Sequence, residues 1–167
     1  MLQLRPIQAS DNSAVVAVLK TVMPEFNCVG EGYSINDPEI SDMATAYSGP
    51  GAAFFVLETG AGAGAKIVGV GGYAPLSGAA GQTCELRKMY ILKEGRGQGG
   101  GRLLMDACIT GAIAAGYTEM YLETVKEMTT AAAVYQKYGF RYLEAPLGNT
   151  GHCGCDRYMV KKLVGIR

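Results

Sequence analysis

Four glycines fall within five residues, at Gly97, Gly99, Gly100 and Gly101, and this cluster limits the fold more sharply than any other stretch. Residues 85–92 before it read as a strand, 93–95 as its turn, and the sequence from 101 onward as a helix whose first apolar pair is Leu103 and Leu104. Glycine at such a junction admits positive φ and removes the Cβ that would hold a ligand away. Successive N–H groups and the helix N-terminus can then converge on an anion, and a pyrophosphate is the natural guest. Two familiar nucleotide patterns do not fit. A phosphoryl-transfer loop needs Gly-Lys-Ser/Thr, whereas Gly101 is followed by Arg102 and Leu103. A dinucleotide fingerprint sits in an early strand–helix turn with an acid roughly 20 residues on, but this junction is mid-chain and its spacing is Arg96-x-x-Gly99-x-Gly101.

A chain of 167 residues suits one domain spanning 1–167 with a single sizeable core. Lys plus Arg and Asp plus Glu both total 15, so the basic footprint of a nucleic-acid partner is missing. No run of about 18 apolar residues marks a membrane span, and the opening Met1-Leu2-Gln3-Leu4-Arg5 lacks a signal-peptide layout. Five cysteines, an odd number without secreted-domain spacing, point to a reducing cytoplasm. His152-Cys153-Gly154-Cys155 carries metal-ligand residue types. A tetrahedral site wants four donors and no second pair is suitably spaced, so no metal is expected.

Along the chain, residues 2–7 alternate as a strand, and Ser10-Asp11 supply an N-cap for a helix carrying Val15, Val18, Leu19 and Val22, stopped by Pro24. Residues 25–50 are mixed, with a short helix near 39–47, and form a loop-rich insert of the kind that carries variable functions. The acids there, Glu25, Glu31, Asp37, Glu39 and Asp42, read as solvated loop charges with a slight bias toward a cationic ligand. Residues 53–58 and 66–74 form two strands joined by a glycine-rich hairpin loop at 60–64. The long helix after Gly101 places Leu104, Ala107, Cys108, Gly111 and Ala115 on its inner face and ends at Gly116. A strand at 119–125, a helix capped by Thr129 or Thr130 and closed by Gly139, and strands at 140–144 and 156–163 complete a mixed three-layer α/β chain.

The segment Glu85-Leu-x-x-Met89-Tyr90-Ile91 followed by Arg96-x-x-Gly99-x-Gly101 resembles the coenzyme A loop of the GNAT superfamily of acyltransferases. A second stretch, Leu122-Glu123-Thr124 and then Ala131-x-x-Val134-Tyr135-x-Lys137-x-Gly139-Phe140, resembles the strand and helix that close the active site in the same superfamily. Together they cover about a third of the chain, in the right order. The resemblance implies an α/β (α+β) fold with a mixed, mostly antiparallel sheet of six to seven strands, helices on both faces and splayed central strands. It implies an N-acetyltransferase that moves acetyl directly from acetyl-CoA to a primary amine on a small molecule, an amino acid or a protein N-terminus. The alternative is a GNAT-fold protein that binds an acyl-CoA without catalysis. A homodimer is compatible with the resemblance, though no residue pattern specifies one.

By resemblance, Met89, Tyr90 and Ile91 offer main-chain groups to pantetheine, and Arg96, Gly97, Gln98, Gly99, Gly100 and Gly101 cradle the pyrophosphate with Arg102 as an extra charge. Glu123 is the first candidate for general base, twelve positions before Tyr135, an interval that resembles the ribosomal-protein alanine acetyltransferases. Glu85 on the facing strand is the second. Burial near a thioester raises a carboxyl toward the working pH. Tyr135 is the candidate acid for the leaving thiolate, because a phenol with pKa about 10 stays protonated at neutral pH. The family commonly has asparagine seven residues before this tyrosine; here Met128 stands there. His152, the only histidine, reads as a surface or hydrogen-bonded loop residue, with reach into the acceptor pocket as the alternative, because its loop borders the active site in the family.

Overall fold

The computed structural model describes residues 1–60 and 62–163. Alternation along the strands decides which core each side chain enters. On the strand Ala53–Thr59 (β2), Phe54 and Val56 face the helix Asn12–Val22 (α1), while Phe55 and Leu57 face the helix Gly100–Ala114 (α3). Val15, Val18, Leu19 and Val22 of α1 are buried on the first side. Leu104, Met105, Cys108 and Ala112 of α3 are buried on the second. Each such fully buried Leu or Met contributes about 1.5–3 kcal/mol of transfer free energy. The inner face of α3 is therefore turned from the expected one: Ala107 is half-buried and Ala115 exposed. So many small residues leave the periodicity with little contrast, and Met105 and Ala112 are what the sheet selects.

The remaining elements are the strand Leu2–Pro6 (β1), a helical turn Met43–Ala46 (α2), and strands Lys66–Pro75 (β3), Thr83–Ile91 (β4) and Glu119–Thr124 (β5), then the helix Thr129–Lys137 (α4) and strands Arg141–Leu143 (β6) and Arg157–Lys162 (β7). The seven strands lie in the order β1-β2-β3-β4-β5-β7-β6, all neighbours antiparallel except β4 and β5. Helices cover both faces. The β2–β3 connection is a hairpin, as read, with Thr59 opposite Lys66; its Ala61 lies outside the described residues. Among the described residues no helix is long and apolar enough to cross a membrane.

The parallel pair is short. Only Thr83, Cys84 and Glu85 of β4 pair with β5, opposite Glu119, Met120 and Tyr121. Beyond Glu85, β4 stays paired with β3 as far as Ile91 opposite Gly69, and β5 stays paired with β7 as far as Thr124 opposite Arg157. The two central strands thus part as expected, each held on its outer side only.

A bulge deepens the parting. Val70 faces Tyr90 and Gly72 faces Arg87, so Lys88 and Met89 together oppose Gly71. Lys88 adopts φ +52, left-handed backbone that a non-glycine residue holds only when its surroundings demand it. A bulge bends its strand and re-aims side chains. Here it turns the Lys88 ammonium into the protein, where the side chain is fully buried.

Candidate active site

The gap between β4 and β5 opens into two clefts that share a wall. The first is lined by Ile91, Arg96, Gly97, Gly99, Gly100 and Gly101 on one side and by Thr129, Thr130 and Ala131 on the other, and is a cleft of about 440 Å³ open to solvent. Glu85, Lys88, Glu123, His152 and Cys155 line the second. Met89, Tyr90, Met128 and Tyr135 belong to both. Met128, where the family has asparagine, is the N-cap of α4 and offers the helix no side-chain acceptor. The expected cap at Thr129 or Thr130 is thereby corrected: both threonines are helical and face the first cleft.

The glycine turn is built for close approach at particular positions. Gly97 has φ +73 and Gly99 φ +81, and a Cβ added at either meets nothing within 4 Å. Gly101, in the first turn of α3, would bring a Cβ no nearer than 3.8 Å to Ile91 Cδ1. The three positions form an open, amide-lined concavity at a helix N-terminus, which fits a pyrophosphate. Gly100 answers a different need, since its Cβ would lie 2.8 Å from Leu57 Cδ1 in the core. Arg96 donates to Ile91 O at 2.8 Å and to Glu25 Oε2 at 3.0 Å, with its guanidinium 6.0 Å from the Phe26 ring centroid. Gln98 donates to Glu94 O at 2.6 Å. Arg102 has an 82% exposed side chain and pairs with Asp106 at 3.5 Å on the outer face of α3. Neither Gln98 nor Arg102 is among the side chains that line the cleft.

In the second cleft the two glutamates come together from facing strands. Glu85 accepts from Arg87 Nε at 2.6 Å, and burial pushes its carboxyl above the ordinary value despite the Arg87 charge. Glu123 accepts from Tyr121 Oη at 2.8 Å and from Thr150 Oγ1 at 2.9 Å. The Tyr135 hydroxyl, in the shared wall, is pushed up to about 12 by burial and stays protonated at neutral pH.

One further group, Lys88, was not singled out by the sequence as a member of the site. Lys88 Nζ pairs with Asp37 Oδ2 and with Glu39 Oε1 at 2.9 Å. Burial would raise both acids, but Lys88 holds Glu39 below the ordinary range, and hydrogen bonds from His152 and Lys88 do the same for Asp37. Tyr47 Oη donates to Glu39 at 2.7 Å. These acids are therefore not solvated loop charges: they fasten the 34–41 segment to the bulge. A charged residue inside a central apolar strand was the available signal, because a buried cation requires partners. His152 is hydrogen-bonded, as read, with Nε2 3.1 Å from both Asp37 carboxylate oxygens, but it also faces the second cleft.

Cys28 and Cys155 line the same cleft, and burial pushes their thiols up to about 11 and about 12. Among the described residues no group of three or more His, Cys, Asp or Glu side chains is placed to hold a metal ion.

The model of the acetyltransferase (GNAT) family matches residues 16–140 of this chain. The uncharacterized N-acetyltransferase YjgM of Escherichia coli K12 is 35% identical over 161 residues, 96% of this chain and 94% of that protein. A GNAT-family acetyltransferase from Staphylococcus aureus Mu50 superposes with a TM-score of 0.82 at 20% identity, over 98% of this chain and 100% of that one. The structure of yncA from Salmonella typhimurium with its cofactor acetyl-CoA gives a TM-score of 0.76 at 16% identity, over 100% and 96% of the two chains. At these identities the two structures bear on the fold alone.

Proposed function

The chain belongs to the acetyltransferase (GNAT) family, and on that premise we propose that it transfers acetyl directly from acetyl-CoA to a primary amine held in the second cleft. The observation that carries this reading is the three-pair ladder between β4 and β5, which leaves a gap joining a glycine cradle to a pair of carboxylates. Acetyl-CoA, whose presence in the yncA structure supports its use here, supplies an acetyl group activated as a thioester.

The unpaired edge of β4 at Met89, Tyr90 and Ile91 offers main-chain groups to the pantetheine arm, with one N–H able to polarise the thioester oxygen. Holding both reactants across a shared wall can remove about 7–11 kcal/mol of barrier. When a C–N bond replaces a C–S bond, two protons leave the ammonium, one for water and one for the thiol. Tyr135, protonated and within the wall that both clefts share, gives its Oη proton to sulfur and recovers one from the amine. Glu85 is the better base of the two glutamates: burial raises its carboxyl, and its Oε1 is not taken up by Arg87. Glu123, held by two hydroxyls, suits the task of orienting the ammonium. Cysteine is a poor candidate for an acetyl carrier, since Cys28 and Cys155 remain thiols at neutral pH, which favours direct transfer.

The test is release of free coenzyme A thiol when acetyl-CoA meets a panel of primary amines. Thiol appearing only with an acceptor present supports the reading. Tight acetyl-CoA binding with no release across the panel favours a non-catalytic binding protein instead.

A further inference from the structure

His152 is gripped by carboxylates from three separate elements. Its Nε2 is 3.1 Å from each oxygen of Asp37, on the connection that follows α1. Its Nδ1 is 3.7 Å from Glu85 Oε1 on β4 and 3.8 Å from Glu123 Oε2 on β5. The imidazole is 12% exposed, the Glu85 side chain 3% and the Asp37 side chain 22%. The ring thus stands between an enclosed acid pair and a carboxylate that reaches water.

The surroundings decide which nitrogen carries the proton. Asp37 is ionised, so it can only accept, and the neutral imidazole must give it the Nε2 hydrogen. The Nδ1 lone pair then points toward Glu85 and Glu123. Separations of 3.7 and 3.8 Å exceed a hydrogen bond, and catalytic contacts often close the last few tenths of an ångström only in the complex that reacts. Other groups facing this cluster are Arg87 and Lys88 from β4, Tyr121 from β5, Glu39 from the 34–41 segment, and Thr150 and Cys155 from the histidine's own loop. Lys88 opposes a charge on the ring and the acids favour one. The Asp37 hydrogen bond is the largest influence, and the imidazole gains its proton more readily than an ordinary histidine.

We propose that His152 relays the acceptor's proton out of the site, taking it at Nδ1 from Glu85 and releasing it past Asp37 to solvent. The inference rests on the acetyltransfer reading above. An N–H bond of the ammonium breaks as an O–H bond forms on Glu85. That O–H bond then breaks as N–H forms at Nδ1, and the imidazolium, its charge set against Asp37, returns to neutral by giving its Nε2 proton to water; exchange of the Nδ1 proton for one at Nε2 through water restores the starting tautomer before the next acceptor. No electrons change hands. Glu85 is left ionised for the next acceptor, which a buried carboxyl with no outlet would not be.

Because His152 is the sole histidine, the imidazole Cε1–H signal of the whole chain reports its titration directly by NMR. The expected midpoint lies above the ordinary value of about 6.5 and moves down in Asp37→Asn and in Glu85→Gln. Wild-type kcat/KM should rise with pH through that same midpoint. His152→Gln should bind acetyl-CoA as wild type does, lose at least about tenfold in kcat, and lose that acidic limb. A histidine that only braces the loop would lower activity and leave the limb in place, and this outcome overturns the relay, as does a midpoint at or below the ordinary one. Absence of any turnover by wild type across the amine panel would instead overturn the acetyltransfer reading, and the relay with it.

Discussion

Glu85 and Tyr121 are the last residues in register between β4 and β5, and the next residue on each strand, Leu86 and Leu122, lines a cleft instead of continuing the ladder. Glu85 is thereby fixed at the fork, its backbone anchored and its carboxyl beside the opening.

Neighbouring glycines should respond to alanine in opposite ways. At Gly101 the added methyl makes an ordinary van der Waals contact with Ile91 at 3.8 Å and replaces glycine in a helix, so stability should hold or rise by up to about 1 kcal/mol, while the KM for acetyl-CoA increases severalfold. At Gly100 the methyl meets Leu57 at 2.8 Å, and the melting temperature should fall by an amount reflecting about 1–3 kcal/mol of overpacking. Calorimetry and donor titrations on both variants check this.

Tyr135→Phe removes one hydroxyl and keeps the packing against Phe140, whose ring centroid is 6.0 Å away. We expect kcat to drop by about 10²-fold or more with the dissociation constant for coenzyme A unchanged. Equal turnover in the variant would remove the tyrosine from the chemistry.

The two glutamates should separate kinetically. Glu85→Gln is expected to lower kcat at saturating amine, whereas Glu123→Gln should mainly raise the acceptor KM, since Glu123, held by the Tyr121 and Thr150 hydroxyls, orients the ammonium instead of taking its proton. Steady-state kinetics with a good amine decide it, and the reverse pattern would exchange their roles.

Lys88→Met leaves Asp37 and Glu39 without their buried cation. The loss should be about 3–5 kcal/mol, on the order of 10 °C in melting temperature for a chain of this size. Lys66→Ala, which breaks a pair whose side chains are 63% and 49% exposed, should change little. The pH dependence has a definite sign. Because the folded carboxyls of Asp37 and Glu39 lie below their ordinary values, the stability they add is present above those values and lost as pH falls through the folded ones. The gap in melting temperature between wild type and Lys88→Met should narrow in acid below about pH 4; a gap that widens there would contradict the arrangement.

What the sequence made legible was local. The glycine turn, Gly116 and Gly139 at helix ends, and the strand alternations each depend on a few adjacent residues, and the structure keeps them. What it concealed depended on distance along the chain. Asp37 and Lys88 are 51 residues apart, and Asp37 and His152 115 apart, so no local pattern links them. The same acids that a compositional reading leaves in water become the clamp between the 34–41 segment, the bulge and the last loop. The bulge itself was invisible because Lys88 and Met89 share one partner only once β3 is in register beside them. The inner face of α3 was misjudged where alanines and glycines give periodicity nothing to grip.

The fork between β4 and β5 has one more implication. Each diverging strand retains an unbroken partner on its far side, β3 for one and β7 for the other. No ladder has to be unzipped to admit a guest, so the opening is a permanent property of the fold, as stable as the sheet that frames it. On the reading proposed above, a slender chain entering there would meet a strand edge that is already free to pair, and little of its binding free energy would be diverted into rearranging the host.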